Sequence, residues 1–189
     1  MSLYKEKEYW NNRLKKYGAV NTSKVGCINP IERRLIEKYV CIGNVILDYG
    51  AGDGRLFSLY NEIKPYVQGV DIADFTELIN KEKQRFPDLR YDHYILNPDL
   101  YSCQYPDDNF KACISFAVFM HIRPENIERL ITEIMRISEV LICSSYNGEL
   151  LAEYDEQHCF LHNYEKLFKP YEIIETEKIG TGQFWVVKK

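Results

Sequence analysis

None of the six cysteines of this chain (Cys27, Cys41, Cys103, Cys113, Cys143 and Cys159) lies in a C-x-x-C pair, so no metal site is expected from cysteine spacing. Apolar runs long enough to span a bilayer are also missing, and the opening residues lack a signal-peptide pattern. The expectation is therefore no membrane partner and a reducing cytoplasm as the setting. A basic surplus is absent too: 24 Lys and Arg stand against 28 Asp and Glu, a net charge of −4. Proteins that grip a phosphate backbone carry a basic face, so nucleic acid is disfavoured as a partner and a small molecule is favoured. There is no repeat, low-complexity tract or Pro/Gly-rich linker, and residues 1–189 read as one domain with 1–28 as an N-terminal cap or lid segment. Nothing in the pattern speaks to an oligomeric state.

What is present is a rhythm. Short apolar runs alternate with stretches of helical period, the mark of an α/β fold. A first helix is expected over Tyr4 to Tyr17, stopped by Gly18. A second starts at Asn29 as N-cap, with Pro30 at the first helical position and Glu32 placed for a capping box. Strands are expected at Val45 to Leu47, Val67 to Val70, Tyr91 to Leu96, Ala112 to Phe116 and Val140 to Cys143. Helices around Leu56 to Ile63, Phe75 to Phe86 and Ile127 to Ile137 separate them. Tyr171 to Ile174 and Phe184 to Val187 then read as a hairpin. The expected architecture is a doubly wound, mostly parallel seven-stranded sheet with a C-terminal antiparallel hairpin.

The most informative segment is the turn after the first strand, Asp48-Tyr-Gly50-Ala51-Gly52-Asp-Gly54. Glycines between a strand and a helix permit positive φ and let a ligand approach bare backbone. Asp71 closes the next strand 23 residues after Asp48, where a carboxylate can accept hydrogen bonds from both hydroxyls of a ribose. Together these describe a nucleoside site at the carboxyl edge of the sheet. The spacing does not fit the G-x-G-x-x-G of dinucleotide enzymes.

It resembles instead the D-x-G-x-G-x-G motif of class I (Rossmann-like) S-adenosylmethionine (SAM)-dependent methyltransferases, matched at every defined position from Asp48 to Gly54. Gly69 to Ile72 is similar to the family's ribose-binding second motif. Pro106 to Phe110, continuing to His121-Ile122, resembles its P-x-D-x-x-F-D and H-I stretches, with Lys111 standing where the family has an acid. The resemblance implies SAM as cofactor and S-adenosylhomocysteine (SAH) as product. It implies that Asp48, Gly50, Ala51 and Gly52 line the methionine and ribose, and that Asp71 and Ile72 hold the ribose. Asn97, Pro98 and Asp99 would meet the adenine, either Asn97 or Asp99 reaching its amino group, while Phe116 and Ala117 would flank the methionine.

Methyl transfer from a sulfonium is a direct displacement, so alignment and water exclusion matter more than a protein nucleophile. Candidates for a general base are His121, Tyr146 and His158. His121 reads first as a helix-cap or orienting residue, and His158 with His162 first as a polar loop leading into a helix. Two rivals remain at this stage. One is a non-catalytic SAM-binding module, the other a nicotinamide-dependent oxidoreductase. Among methyltransferases, the amino-methylating type is disfavoured because Ser115 to Val118 stands where its D/N-P-P-Y belongs.

Overall fold

The structure, a computed structural model, describes residues 3–17, 28–96, 105–146, 159–180 and 182–189. Its backbone forms two compact units that divide after residue 100.

The first unit holds α1 (Leu3–Tyr17), α2 (Pro30–Tyr39), β1 (Val45–Tyr49), α3 (Phe57–Ile63), β2 (Tyr66–Asp71), α4 (Thr76–Lys83) and β3 (Tyr91–Ile95). Helix α2 starts where its chemistry directs. Asn29 Oδ1 accepts from the Ile31 N–H at 2.9 Å, and Glu32 Oε2 accepts from the Asn29 N–H at 3.1 Å. Two orphan donors of the first turn are thereby satisfied. Helix α3 ends at Lys64, which takes a left-handed φ of 59° before Pro65 forbids continuation. Strands β1, β2 and β3 are parallel, with Asp48 opposite Gly69 and Gly69 opposite His93. Helix α4 is shorter than the Phe75 to Phe86 expected. Its polar sequence offers one fully buried anchor, Ile79, and apolar contact, not propensity, sets helix length in proteins.

The second unit holds β4 (Phe110–Phe116), a 3₁₀ turn at Phe119–His121, α5 (Pro124–Ile137), β5 (Ser138–Tyr146), α6 (Tyr164–Phe168), β6 (Glu172–Ile179) and β7 (Gly182–Lys188). Helix α5 buries Ile127, Leu130, Ile131, Ile134 and Ile137, the stripe its period predicts. Strand β5 pairs parallel with β4 and antiparallel with β7. Pairing on both sides explains why it runs past the expected Val140 to Cys143. The hairpin is longer than expected because β6 pairs with β7 from Glu172 to Ile179, and Glu172, Glu175, Glu177 and Lys178 give it a polar, edge-strand sequence. The short helix α6 stacks Tyr164 and Phe168 on Trp185 of β7, and the Tyr164 hydroxyl donates to Ser145 Oγ at 2.6 Å.

The strand order is β3-β2-β1-β4-β5-β7-β6, a seven-stranded mixed sheet with the antiparallel hairpin at its C-terminal end, as the sequence leads one to expect. No helix among the described residues is long and apolar enough to cross a membrane.

One close approach fixes how β2 and β3 pack. A methyl group on Gly69 would lie 1.7 Å from the Tyr91 hydroxyl oxygen, so the tyrosine occupies the space that a side chain on β2 would need. Gly69→Ala is accordingly expected to destabilise the protein by about 1–3 kcal/mol through overpacking. Urea unfolding midpoints of the two proteins check this.

Candidate functional site

The turn between β1 and α3 is built from three left-handed glycines: φ is 77° at Gly50, 56° at Gly52 and 86° at Gly54. L-residues avoid this region, so the run of glycines is a backbone requirement. At Gly54 a methyl would also meet the Phe57 ring at 2.8 Å, whereas at Gly52 it would meet no atom within 4 Å. Gly54 is thus held by packing, while Gly52 faces open space that a ligand can enter.

The turn is tied to β2 by three N–H donors. Gly50 and Ala51 both donate to the Val70 carbonyl, at 2.8 and 3.1 Å. Gly52 donates to Asp71 Oδ2 at 2.9 Å, and Asp71 Oδ1 accepts from the Ala73 N–H at 2.9 Å. Each carboxylate oxygen has two lone pairs, and the Ile72 N–H also favours the charged carboxylate. Acceptor capacity remains beyond these backbone donors, which is what a ribose hydroxyl would use. Burial raises the Asp71 carboxyl to about 6, the backbone N–H groups opposing it. Helix α1 reaches the same loop, since Asn11 Oδ1 accepts from the Asp74 N–H at 3.1 Å.

Asp48 is buried at 5% exposure. Burial lifts its carboxyl to about 7, and the proximity of Tyr60 and Arg55 opposes the shift only in part. Beside it, Arg55 is committed to Glu32, with Nη1 to Oε2 at 2.6 Å and Nη2 to Oε1 at 2.9 Å. This pair straps the end of the glycine turn to the capping box of α2. Sequence reasoning missed the pair, although both parts were visible: Glu32 as a capping residue, Arg55 directly after Gly54.

Of the remaining expected residues, Ile72 is half-buried next to Asp71. Asn97, Pro98, Asp99 and His158 lie outside the described residues. Phe116 and Ala117 belong to the second unit. Phe116 ends β4, and its ring meets Phe184 at 6.2 Å. Ala117 follows with φ of 58°, its N–H donating to the Ser144 carbonyl. A non-glycine residue in this region is strained, a feature that no sequence signal announced. His121 sits in the 3₁₀ turn, its Nδ1 3.7 Å from Cys159 Sγ. The N-cap of α5 is Arg123, so His121 does not cap that helix. His162 Nε2 lies 3.0 and 2.9 Å from the carbonyls of Phe119 and Ile122. Carbonyls only accept, so this nitrogen carries the proton and the ring holds the turn. Tyr146, the last residue of β5, is exposed. Lys111, the departure from the family pattern, is paired with Glu139 at 2.5 Å.

Residues 47–139 match a family model described as a methyltransferase domain. No curated protein matches the chain. Among solved structures, 1,6-didemethyltoxoflavin-N1-methyltransferase from Burkholderia thailandensis, with its ligand and SAH bound, superimposes with a TM-score of 0.75. The identity is 13%, over 97% of this chain and 86% of that one. Magnesium protoporphyrin IX methyltransferase from Synechocystis PCC 6803 with bound SAH has a TM-score of 0.71 at 15% identity, over 97% of each chain. A putative methyltransferase complexed with the Trm112 methyltransferase activator of Haloferax volcanii has a TM-score of 0.71 at 13% identity, over 99% of this chain and 97% of that one. At such identities the likeness is one of fold.

Two outcomes are expected from this geometry. Relieving the strain after β4 with Ala117→Gly should leave stability unchanged or raise it by up to about 1 kcal/mol, read from thermal unfolding. The second concerns Asp48, whose folded-state value of about 7 lies above the ordinary 3.8. Its contribution to stability is complete below about pH 4 and is lost as pH rises through 7. The slope is at most about 1.4 kcal/mol per pH unit. Asp48→Asn should remove that slope, so the ligand-free variant gains on the wild type from pH 5 to pH 8 in pH-resolved denaturation.

Proposed function

As the chain is a class I, Rossmann-like SAM-dependent methyltransferase, we propose that it moves the methyl group onto a small or medium-sized metabolite by direct displacement, in the cytoplasm. The observation that carries the cofactor assignment is the Asp71 carboxylate, buried at the end of β2 with acceptor capacity beyond its backbone N–H partners. The open face of Gly52 stands beside it. In this reading Asp48, Gly50, Ala51 and Gly52 hold the methionine and ribose, and Asp71 and Ile72 the ribose hydroxyls. Asn97, Pro98 and Asp99 hold the adenine, and Phe116 and Ala117 flank the methionine. Bound SAM supplies an electrophilic methyl on a sulfonium. The chain's own task is to fix its ribose, exclude water and admit a nucleophile in line.

A small substrate is supported by the net charge of −4. The toxoflavin-precursor methyltransferase, named for a small-molecule substrate, lends the same support. The cytoplasm is supported by Cys41 and Cys143, thiols outside any disulfide among the described residues. We take residues 1–189 as one functional domain with 1–28 as a cap, a reading supported by the hydrogen bond from the Asp74 N–H to Asn11 of α1. His121 acts as an orienting residue in this scheme, with Tyr146 and His158 as the other candidates to receive a substrate proton.

Calorimetry should give stoichiometric SAM and SAH binding in the micromolar range, near −8 kcal/mol at about 1 μM. Binding of NAD but of neither of these would sink the reading. Asp71→Ala should weaken SAM by roughly 1.5–3 kcal/mol, the range for hydrogen bonds to a charged group. It should also lower thermal stability, because Gly52 and Ala73 lose their acceptor. Incubation with methyl-labelled SAM tests the substrate class. Label should pass to a low-molecular-weight fraction of a cell extract, and transfer to RNA or protein alone would overturn that part.

A further inference from the structure

The cysteines described in the second unit differ in their surroundings. Cys113 on β4 and Cys143 on β5 are fully buried, and burial pushes the Cys143 thiol well up. Buried thiols of this kind are inert. Cys159 is only half-buried, and its Sγ lies 3.7 Å from Nδ1 of His121, which is half-buried as well. Either tautomer of the ring preserves the contact. A thiol donates to a neutral imidazole, or an imidazolium donates to a thiolate.

Backbone bonds hold the two side chains together. The 3₁₀ turn is closed by its own amides, His121 donating to the Val118 carbonyl at 2.9 Å and Ile122 to that of Phe119 at 3.0 Å. The segment that begins at Cys159 is fastened along this turn in the opposite direction. Its Phe160 N–H donates to the Met120 carbonyl at 2.7 Å, which sets Cys159 opposite His121. Two residues further on, His162 Nε2 donates to the carbonyls of Phe119 and Ile122. The ring of His162 is thus engaged in holding the turn, and Arg123, the cation that follows, lies 3.6 Å from Glu125. His121 is the imidazole that this arrangement brings to the thiol.

A thiol held against a base and partly open to solvent is the arrangement that activates sulfur as a nucleophile. We propose that Cys159 and His121 form a reactive pair, and that Cys159 is a modification site at which hydroperoxides make a sulfenic acid. In the reacting form the proton sits on His121 and the negative charge on Sγ. The sulfur attacks the terminal oxygen of the hydroperoxide, an S–O bond forms and the O–O bond breaks. Sulfur loses two electrons and the peroxide gains them. The departing oxygen takes the proton from His121. Thiolate, imidazolium and hydroperoxide thereby become sulfenic acid, neutral imidazole and an alcohol, or water when the oxidant is hydrogen peroxide. The reaction needs neither SAM nor a methyl acceptor, so it stands apart from the functional reading above.

The test is modification of the whole chain, folded and urea-unfolded, with each cysteine resolved by peptide mass. Iodoacetamide at about pH 6.5 reads the thiolate. Cys159 should react about five- to tenfold faster folded than unfolded despite its partial burial, the gain in thiolate outweighing the loss of nucleophilicity. His121→Asn should remove that advantage and leave the unfolded rate unchanged. Hydrogen peroxide with a dimedone trap should then mark Cys159 of the folded chain ahead of the exposed Cys41. A folded Cys159 that alkylates no faster than the unfolded one, or whose rate ignores His121→Asn, would overturn the pair. Peroxide that marks Cys41 as readily as Cys159 would overturn the modification site. If His121→Asn does not fold, the wild-type comparison of folded and unfolded chain decides the matter.

Discussion

The hydrogen bond from the Gly52 N–H to the Asp71 carboxylate joins two segments that are 19 residues apart, and much of the first unit is arranged around it. For the bond to form, the chain must leave β1 through a left-handed turn, which requires glycine at Gly50 and Gly52. β2 must end at Asp71 with its carboxylate facing that turn. The parallel register of Asp48 with Gly69 and of Tyr49 with Val70 brings the two ends level. The Val70 carbonyl accepts from two further turn amides, so the loop is fixed at three points before any ligand arrives. Such preorganisation is what a site needs when its contribution to rate is alignment.

Charge is the second constraint. Two buried carboxylates, Glu32 and Asp48, close to the one guanidinium of Arg55 is an expensive arrangement in a low-dielectric interior, because an unpaired charge there is poorly compensated. The protein offsets part of it locally: Arg55 clasps Glu32, and Asp71 takes backbone dipoles. On Asp48 burial wins, and its carboxyl is raised to about 7. Natural folds commonly concentrate their electrostatic tension at working sites in this way.

In the second unit the functional candidates are held by packing. His162 clamps the 3₁₀ turn after β4 through the carbonyls of Phe119 and Ile122. The Phe160 N–H adds a bond of 2.7 Å to the Met120 carbonyl. This leaves His121 and the strained Ala117 in fixed positions beside the end of β4. A left-handed alanine persists only where its surroundings over-determine it, and the bond from Ala117 to Ser144 on β5 is one such restraint.

The order of elements, the glycine turn, Asp71 and the capped start of α2 were legible in the sequence, because each depends on local rules. Apolar period sets the element type, positive φ demands glycine, and an Asn-Pro-x-Glu start satisfies its own orphan amides. The family likeness rests on those same residues. Lengths were less legible: β5 and β6 outrun their apolar cores because pairing with neighbouring strands, not side-chain pattern, decides where a strand stops. The burial of Asp48, the clasp of Arg55 on Glu32, the Tyr91 hydroxyl over Gly69 and the turn-holding role of His162 were decided by tertiary structure alone. Each arises from the meeting of residues distant in the chain. A carboxylate written into a strand carries no mark of whether its neighbours in space will be water, a guanidinium or the hydroxyls of two tyrosines.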